Sequence, residues 1–259
     1  MNYGICNLST IPLRAEPDNT SELVSQVLFG DSFEVLDTSK QWSKVKLVFD
    51  DYQGWIDTKQ YLKISKEQYE KLDNSPIVIS NELVDFIEDS TTNELIAILL
   101  GSRLPFYNKE FLDLDLNGKK YTFEGNTSET IASKESIVKT AFMYLNTPHL
   151  WGGKTPFGID SSGFTQMVYK INGHKLLRDA SQQATQGEVL SFIEESEPGD
   201  LAFFDNDEGV IMHVGMILAN NYIIHSSGKV RIDRLDQSGI YNAELRKHTH
   251  KLRVIKKMF

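Results

Sequence analysis

Cysteine is almost absent from this sequence, which has only Cys6 among its 259 residues. A single cysteine can form no internal disulfide, and no cysteine pair has the spacing of a zinc site. Cys6 follows the apolar stretch Tyr3-Gly4-Ile5, so we expect it to be a small buried side chain. The chain must therefore rely on a packed core, for which its 40% hydrophobic content is sufficient.

Long apolar segments and clusters of positive charge are missing as well. No run approaches the roughly 18 apolar residues of a membrane-spanning helix, and the N-terminus lacks a basic segment followed by an apolar one. The 27 Lys and Arg residues are outnumbered by 36 Asp and Glu, which gives a formal net charge of −9. Nonspecific binding to nucleic acid requires clustered cations. We therefore expect a cytoplasmic monomer that binds neither nucleic acid nor membranes.

The N-terminal half contains two groups of short strand-like segments. In the first 65 residues they are separated by polar turns, which is typical of a small β-barrel, and we assign residues 1–65 to a first domain. The turn cluster at residues 73–76 marks a boundary. Residues 96–102 resemble residues 27–31, and an alternating segment precedes an Asn117-Gly118 hairpin. We therefore interpret residues 75–128 as a second, degenerate barrel.

Residues 130–259 predict helices followed by antiparallel strands. Ser133 is expected to cap a helix, and further helices begin near Ser161 and near residue 180. The apolar face of the first helix is predicted to consist of Ile137, Val138, Ala141, Phe142 and Leu145. Strand-like segments follow from Leu201 onwards. This separation of helices from strands is typical of the α+β class.

A glycine-rich segment at residues 151–166 carries the main chemical signal. Tight turns lead into Asp160-Ser161-Ser162-Gly163, and the apolar residues after them have helical spacing. Residue 161 therefore lies at a helix N-terminus, where unpaired backbone N–H groups and the helix dipole stabilise an anion. Such a position suits a nucleophile, although a lone serine at a helix start is usually a cap.

Two histidines follow in neighbouring strand-like segments. His213 and His225 are separated by an Asn220-Asn221 turn, so both can face one helix end. Either one alone would be interpreted as a buried packing residue. Together with Asp160 they lack a further metal ligand, and no His-Glu-x-x-His motif occurs. We expect no metal and no cofactor.

Taken together, these motifs resemble the NlpC-type family of papain-like cysteine peptidases. The matching residues are Asp160, Ser162-Gly163-Phe164, His213-Val214-Gly215 and then His225. Residues 1–65 are also similar to bacterial SH3-like modules that accompany wall peptidases. The resemblance implies an α+β chain in which two small SH3-like barrels precede a papain-like domain with an antiparallel sheet.

The sequence departs from that family at the nucleophile, where Ser161 stands in place of cysteine. The resemblance makes His213 the general base and acid, and His225 the residue that orients it. Because a hydroxyl is far harder to deprotonate than a thiol of pKa ~8.5, we expect little or no peptidase activity from the chain as written. The simplest explanation is a deliberate cysteine-to-serine substitution. A natural serine variant and a noncatalytic protein are the alternatives.

The order of domains resembles cytoplasmic murein-recycling endopeptidases of the dipeptidyl-peptidase VI type. That resemblance implies cleavage between γ-D-Glu and the diamino acid of stem peptides with a free N-terminal L-Ala, such as L-Ala-γ-D-Glu-diaminopimelate or L-Ala-γ-D-Glu-Lys. The candidates for substrate binding are Asp160 near the amine, with Glu22 and Tyr52 as a lid that closes the far end of the cleft, and Ser162 and Ser181 near the α-carboxylate. Trp151 could line the cleft, and His149 stands where the family has a tyrosine that approaches the oxyanion. Helix capping and barrel packing are the alternative explanations for these residues.

Two other functions fit the same residues. A noncatalytic binder of wall fragments would use the SH3-like modules, and it would stay inactive after Ser161→Cys. An acyltransferase or amidase on the same scaffold would pass the acyl group to another acceptor. Product identification with an amine acceptor present separates this last possibility from hydrolysis.

Overall fold

The computed structural model describes residues 2–128 and 133–259. The chain divides into two compact units, Met1–Thr130 and Ile131–Phe259. The domain boundary predicted near residue 130 falls at residues 129–132, which lie outside the described residues. No helix in the described ranges is long and apolar enough to cross a membrane.

Seven antiparallel strands form the first sheet of the first unit. They are β1 (Asn2–Ile5), β2 (Thr10–Arg14), β3 (Leu23–Leu28), β4 (Ser32–Ser39), β5 (Trp42–Leu47), β6 (Gln53–Asp57) and β7 (Leu62–Ile64). Their spatial order is β3-β2-β6-β5-β4-β1-β7. Residues of β5 alternate between more and less buried positions, because successive side chains of a strand point to opposite faces. Cys6 lies in the resulting core, as predicted.

A helix and a second group of strands complete the first unit. Helix α1 (Lys66–Asp73) begins at Ser65, whose side chain forms a capping box with Gln68. The strands are β8 (Ile79–Ser80), β9 (Val84–Asp89), β10 (Leu95–Leu99), β11 (Asp113–Leu116), β12 (Lys119–Thr122) and β13 (Thr127–Ser128). Four form a sheet in the order β10-β9-β12-β11, and β8 pairs with β13. The predicted hairpin at residues 117–118 joins β11 to β12.

The two strand groups of the first unit share one of its hydrophobic clusters. Tyr3 of β1 and Phe29, which directly follows β3, belong to the same buried cluster as Ile87 and Leu114 from the second sheet. The first group is therefore not packed independently of the second. The interpretation of residues 75–128 as a degenerate SH3-like barrel stays a prediction.

The second unit places three helices before most of its strands. The helices are α2 (Lys134–Met143), α3 (Ser161–Ile171) and α4 (Ala180–Gln183). The strands are β14 (Lys154–Thr155), β15 (Gly158–Ile159), β16 (Glu188–Leu190), β17 (Leu201–Asp205), β18 (Ile211–Leu218), β19 (Tyr222–Ser227), β20 (Lys229–Asp236), β21 (Gly239–Asn242) and β22 (Lys247–Lys257). The α+β prediction is confirmed.

The main sheet of the second unit closes on itself. Its order is β16-β22-β17-β18-β19-β20-β21, and β21 also pairs with β22. The six strands β17–β22 therefore form a ring, to which β16 is added outside. Because β18 and β19 are neighbours inside this ring, the two predicted histidines lie on adjacent strands.

Helix α2 starts as predicted but buries a different face. Ser133 caps it by accepting a hydrogen bond from the Ser136 backbone N–H. The buried residues of the helix include Ile137 and Ala141, whereas Phe142 and Leu145 are exposed. The predicted apolar face is therefore wrong at those two positions. The helix ends before Leu145, so helical spacing no longer places that residue on the face of Ile137.

Candidate active site

The nucleophile position lies where α3 begins. Ser161 is the first residue of α3, and Asp160 caps the helix by accepting a hydrogen bond from the Gly163 backbone N–H at 2.6 Å. All eleven residues of α3 are buried, and the helix packs against β18 and β19. The helix start predicted at Ser161 is confirmed. Its dipole and first backbone N–H groups therefore act at residue 161 in a site screened from water.

Asp160 forms a buried ion pair with Arg178. Arg178 Nη2 donates to Asp160 Oδ2 at 2.6 Å and Nη1 donates to Oδ1 at 3.0 Å, so the contact is bidentate. Nη1 also lies 3.0 Å from the Ser162 hydroxyl oxygen, which accepts this hydrogen bond. Arg178 was not foreseen from the sequence. From the sequence, Asp160 was predicted to be a carboxylate available to bind the substrate amine. In the structure its charge is balanced by the Arg178 guanidinium.

The turns before α3 hold its first residues in place. The Gly152 backbone N–H donates to Asp160 Oδ2 at 2.8 Å, and β14 pairs with β15 immediately ahead of the helix. A Cβ at Gly163 would overlap the carbonyl oxygen of Gly153, so this close approach requires glycine at residue 163. Trp151 stands at the edge of this turn with its side chain largely exposed.

The two predicted histidines contact each other directly. His213 Nε2 lies 2.8 Å from His225 Nδ1. His225 is paired across the ladder with Gly215, where an added Cβ would overlap the Ile223 side chain and the Cβ of His225. The structure therefore brings His213 and His225 together beside the helix that begins at Ser161. Their catalytic roles stay predictions.

An acidic residue continues this chain of contacts. His225 Nε2 lies 3.1 Å from Asp233 Oδ2, and Arg231 donates to both oxygens of the same carboxylate at 2.7 and 3.0 Å. Asp233 is buried, so these contacts hold its charge in a poorly solvated place. His225, the predicted orienting residue, therefore contacts a carboxylate, Asp233, that the sequence analysis did not identify.

Burial controls the protonation of the two histidines. Burial, followed by repulsion from the neighbouring histidines, lowers the pKa of His213 well below its ordinary value. Burial also lowers the pKa of His225, although Asp233 opposes this effect. Burial raises the pKa of Asp233, but hydrogen bonds from His225 and Arg231 outweigh it and the net pKa is lowered. At neutral pH the site therefore contains neutral imidazoles beside an ionised aspartate.

A third histidine, His250 of β22, packs against the pair. Its ring is stacked on that of His213, with centroids 4.1 Å apart and an interplanar angle of 28°. Burial lowers the pKa of His250 to about 4. The prediction that no metal binds assumed that only two histidines, His213 and His225, lie at this site. His250 is a third, so that assumption is wrong. His213, His225 and His250 each offer a ligand atom within 4.8 Å of the other two.

The remaining predicted residues have different surroundings. His149 Nδ1 contacts the Ser226 hydroxyl at 3.1 Å, and its charge influences the pKa of His213. Ser181 is exposed on α4, whereas the Ser162 hydroxyl already bonds Asp160 and Arg178. The other two candidates belong to the first unit, where Glu22 precedes β3 and Tyr52 packs against the core. Their contact with substrate stays a prediction.

Sequence reasoning missed Arg178, Asp233 and His250. The Ser227-Gly228-Lys229 turn could have predicted Asp233. A tight hairpin at this turn pairs Ile223 with Asp233, and His225, two residues after Ile223, lies on the same face of the sheet. Arg178 precedes α4 and His250 lies on a strand distant in sequence, so no local pattern links either one to the site.

Comparisons with known proteins agree with this geometry. Residues 146–252 match the NlpC/P60 family, and residues 13–60 match the bacterial dipeptidyl-peptidase Sh3 domain. The chain is 30% identical to a gamma-D-glutamyl-L-lysine dipeptidyl-peptidase of Bacillus subtilis (strain 168), covering 85% of this chain and 78% of that protein. It is 27% identical to dipeptidyl-peptidase 6 of Lysinibacillus sphaericus, with coverages of 90% and 92%.

Solved structures share the fold. A NlpC/P60 family protein from Bacillus cereus ATCC 10987 superposes with a TM-score of 0.84 at 21% identity, covering 99% of both chains. An NlpC/P60 endopeptidase from Photobacterium damselae subsp. piscicida gives a TM-score of 0.71 at 16% identity, covering 97% of this chain and 70% of that one. At these identities the similarity concerns the fold alone.

Proposed function

The chain belongs to the NlpC/P60 family, and on that premise we propose that its scaffold hydrolyses the bond between γ-D-Glu and the diamino acid of murein stem peptides with a free N-terminal L-Ala. The observation that carries the proposal is the connected series His213–His225–Asp233, whose two histidines lie on strands that pack against α3. A base, an orienting residue and a helix N-terminus are the parts that an acyl-transfer site needs. The named relatives are dipeptidyl-peptidases, which supports the substrate class.

With cysteine at residue 161, the parts have clear roles. The thiol passes its proton to the neutral His213, and the helix N-terminus and the resulting imidazolium stabilise the thiolate, which attacks the carbonyl carbon of γ-D-Glu. The backbone N–H of residue 161 donates to the oxyanion that forms. His213 then protonates the leaving amine, and water hydrolyses the acyl-enzyme. His225, held by Asp233, keeps the ring of His213 in orientation.

With Ser161 as written, the same residues are poorly matched. The low pKa of His213 makes it a weak base, and a hydroxyl releases its proton far less readily than a thiol. No ion pair between nucleophile and imidazolium is expected in the resting site. We therefore propose that the chain as written binds stem peptides but turns them over very slowly.

The proposal also covers location and substrate orientation. Peptides with a free N-terminal L-Ala arise from murein breakdown, so we place the reaction in cytoplasmic wall recycling. Because Asp160 is paired with Arg178, its carboxylate would meet the free amine of the substrate as part of this ion pair and not as an unpaired charge. Glu22 and Tyr52 are then the candidates that supply further contacts to the amine end. Truncation of residues 1–130 should abolish the preference for free N-termini if they do.

Mass spectrometry of the released dipeptide tests the function. The chain as written and its Ser161→Cys variant are incubated with L-Ala-γ-D-Glu-diaminopimelate and with L-Ala-γ-D-Glu-Lys. We expect L-Ala-γ-D-Glu only from the cysteine variant, and none from Ser161→Cys combined with His213→Ala. His248→Ala in the cysteine background is the matched control, because His248 pairs with Asp236 away from His213.

Each other outcome points to a different function. Tight peptide binding without cleavage by Ser161→Cys would contradict the peptidase proposal and favour a binder of wall fragments. Transfer of the dipeptide to an added amine in preference to water would favour an acyltransferase.

A further inference from the structure

Three histidines from separate strands meet at one point of the second unit. His213 comes from β18, His225 from β19 and His250 from β22. One ligand atom of each lies within 4.8 Å of those of the other two, and the rings are buried or half-buried. The nitrogens of three imidazoles on one tetrahedral zinc ion are roughly 3.3 Å apart, given Zn–N bonds of 2.0–2.1 Å. Small rotations of the rings would therefore bring the nitrogens to ligand spacing.

Two of the rings are held by contacts typical of metal ligands. Asp233 contacts Nε2 of His225 at 3.1 Å, which leaves Nδ1 directed at His213. The Thr249 hydroxyl contacts Nδ1 of His250 at 2.9 Å, which leaves Nε2 available. Metal-binding histidines usually have their second nitrogen fixed in this way by a carboxylate, carbonyl or hydroxyl group. A purely packing histidine needs no such pair of partners.

The type of donor selects the type of ion. Three neutral imidazoles suit zinc and its neighbours in the first transition series, whereas calcium and magnesium prefer oxygen ligands. Burial favours the neutral imidazole, which is the form that binds metal. Three protein ligands with one position left open is the pattern of a reactive zinc site, and four ligands would indicate a structural one.

We propose that His213, His225 and His250 form a binding site for Zn²⁺ or a cation of the same class, with one coordination position open to solvent or ligand. The ion would bind to His213 Nε2 and His225 Nδ1, the two nitrogens that contact each other in the structure. Metal binding and the His213–His225 hydrogen bond are therefore mutually exclusive. This inference does not rest on peptidase activity, since it concerns binding alone.

Isothermal titration of untagged, full-length protein with ZnCl₂ tests the site. We expect one ion per chain, and a loss of affinity of at least tenfold in His250→Ala. His248→Ala is the matched control, because His248 lies on the same strand and its Nε2 contacts Asp236 at 2.8 Å. If zinc binds weakly to surface histidines, its affinity should fall equally in both variants. If it binds at the proposed site, its affinity should fall only in His250→Ala.

A second variant tests the supporting contact. Asp233→Asn should weaken zinc binding by about 10–100-fold, the usual effect of changing a group that orients a metal-bound histidine. The Co²⁺-substituted protein should show visible absorption bands of a tetrahedral site, and these should disappear in His250→Ala. Circular dichroism of each variant checks that the fold is intact.

Several results would overturn the inference. Absence of saturable binding, unchanged affinity in folded His250→Ala, or an equal loss in His248→Ala would each show that the cluster holds no metal. Peptide cleavage by the Ser161→Cys variant after chelator treatment would leave the proposed function standing in that case. Conversely, zinc binding together with no stem-peptide cleavage by the metal-free Ser161→Cys variant would support the metal site and contradict the peptidase proposal.

Discussion

Replacing Arg178 should destabilise the second unit more than any change of an exposed charge. Its guanidinium is 1% exposed and bonds both oxygens of Asp160, whose side chain is 12% exposed. Removing one partner of a buried pair leaves the other charge uncompensated, which typically costs about 3–5 kcal/mol. We therefore expect Arg178→Met to lower the free energy of unfolding by ~3–5 kcal/mol.

The explanation predicts a specific recovery. Adding Asp160→Asn to Arg178→Met removes the uncompensated charge and keeps a side chain that can cap α3. The double variant should therefore be more stable than Arg178→Met alone. A hydrophobic replacement of a buried ion pair is often tolerated when both charges are removed together.

Urea unfolding followed by circular dichroism and by tryptophan fluorescence measures these effects. Coincidence of the two transitions is required before one free energy is assigned to a chain of two units. Lys139→Ala is the exposed control, because Lys139 pairs with Glu135 at 2.8 Å on the solvent side of α2 and its loss should leave stability nearly unchanged. A loss below about 1 kcal/mol in Arg178→Met, or no recovery in the double variant, would refute the reasoning.

Three further predictions concern single contacts of the site. Gly163→Ala should lower the melting temperature and abolish any activity of Ser161→Cys, because the new methyl group overlaps the Gly153 carbonyl; activity equal to the parent would contradict this. The pKa of His250 is about 4 in the folded protein and 6.5 in the unfolded chain, so between these pH values only the unfolded chain binds the proton. Stability should therefore fall as the pH drops from 6.5 to about 4. Urea titrations across that range should show a smaller fall for His250→Phe. In the cysteine background, Asp233→Asn should lower kcat at least tenfold with little change in KM, and an unchanged kcat would exclude a positioning role.

The parts of the site encoded by local sequence were predicted well. Asp160 and Gly163 define the start of α3 because a capping side chain and a close backbone approach act within a few residues. His213 and His225 were placed on adjacent strands because a short turn separates them. Each of these features depends on residues close together in the chain.

The parts that depend on distant pairing were not predicted. His250 reaches the site through the pairing of β22 with β17 and β21, and Arg178 through the packing of the segment before α4 against the start of α3. The exposed side chain of Phe142 shows the same limit, since helical periodicity identifies an apolar stripe but not which part of it packs against α3. Tertiary contacts decide such positions.

The closed ring of strands has a consequence for the order of folding. Strand β22 completes the ring by pairing with β17 and β21 and also pairs with β16 outside the ring, so two of its partners, β16 and β17, are far away in sequence. Contacts between distant residues form late and slowly, because a long loop must close before they are gained. His250 enters the cluster only when this last strand is in place. We therefore expect a partly folded second unit to contain α3 and the β18–β19 hairpin but not the complete group of histidines, so that the full site is acquired late in folding.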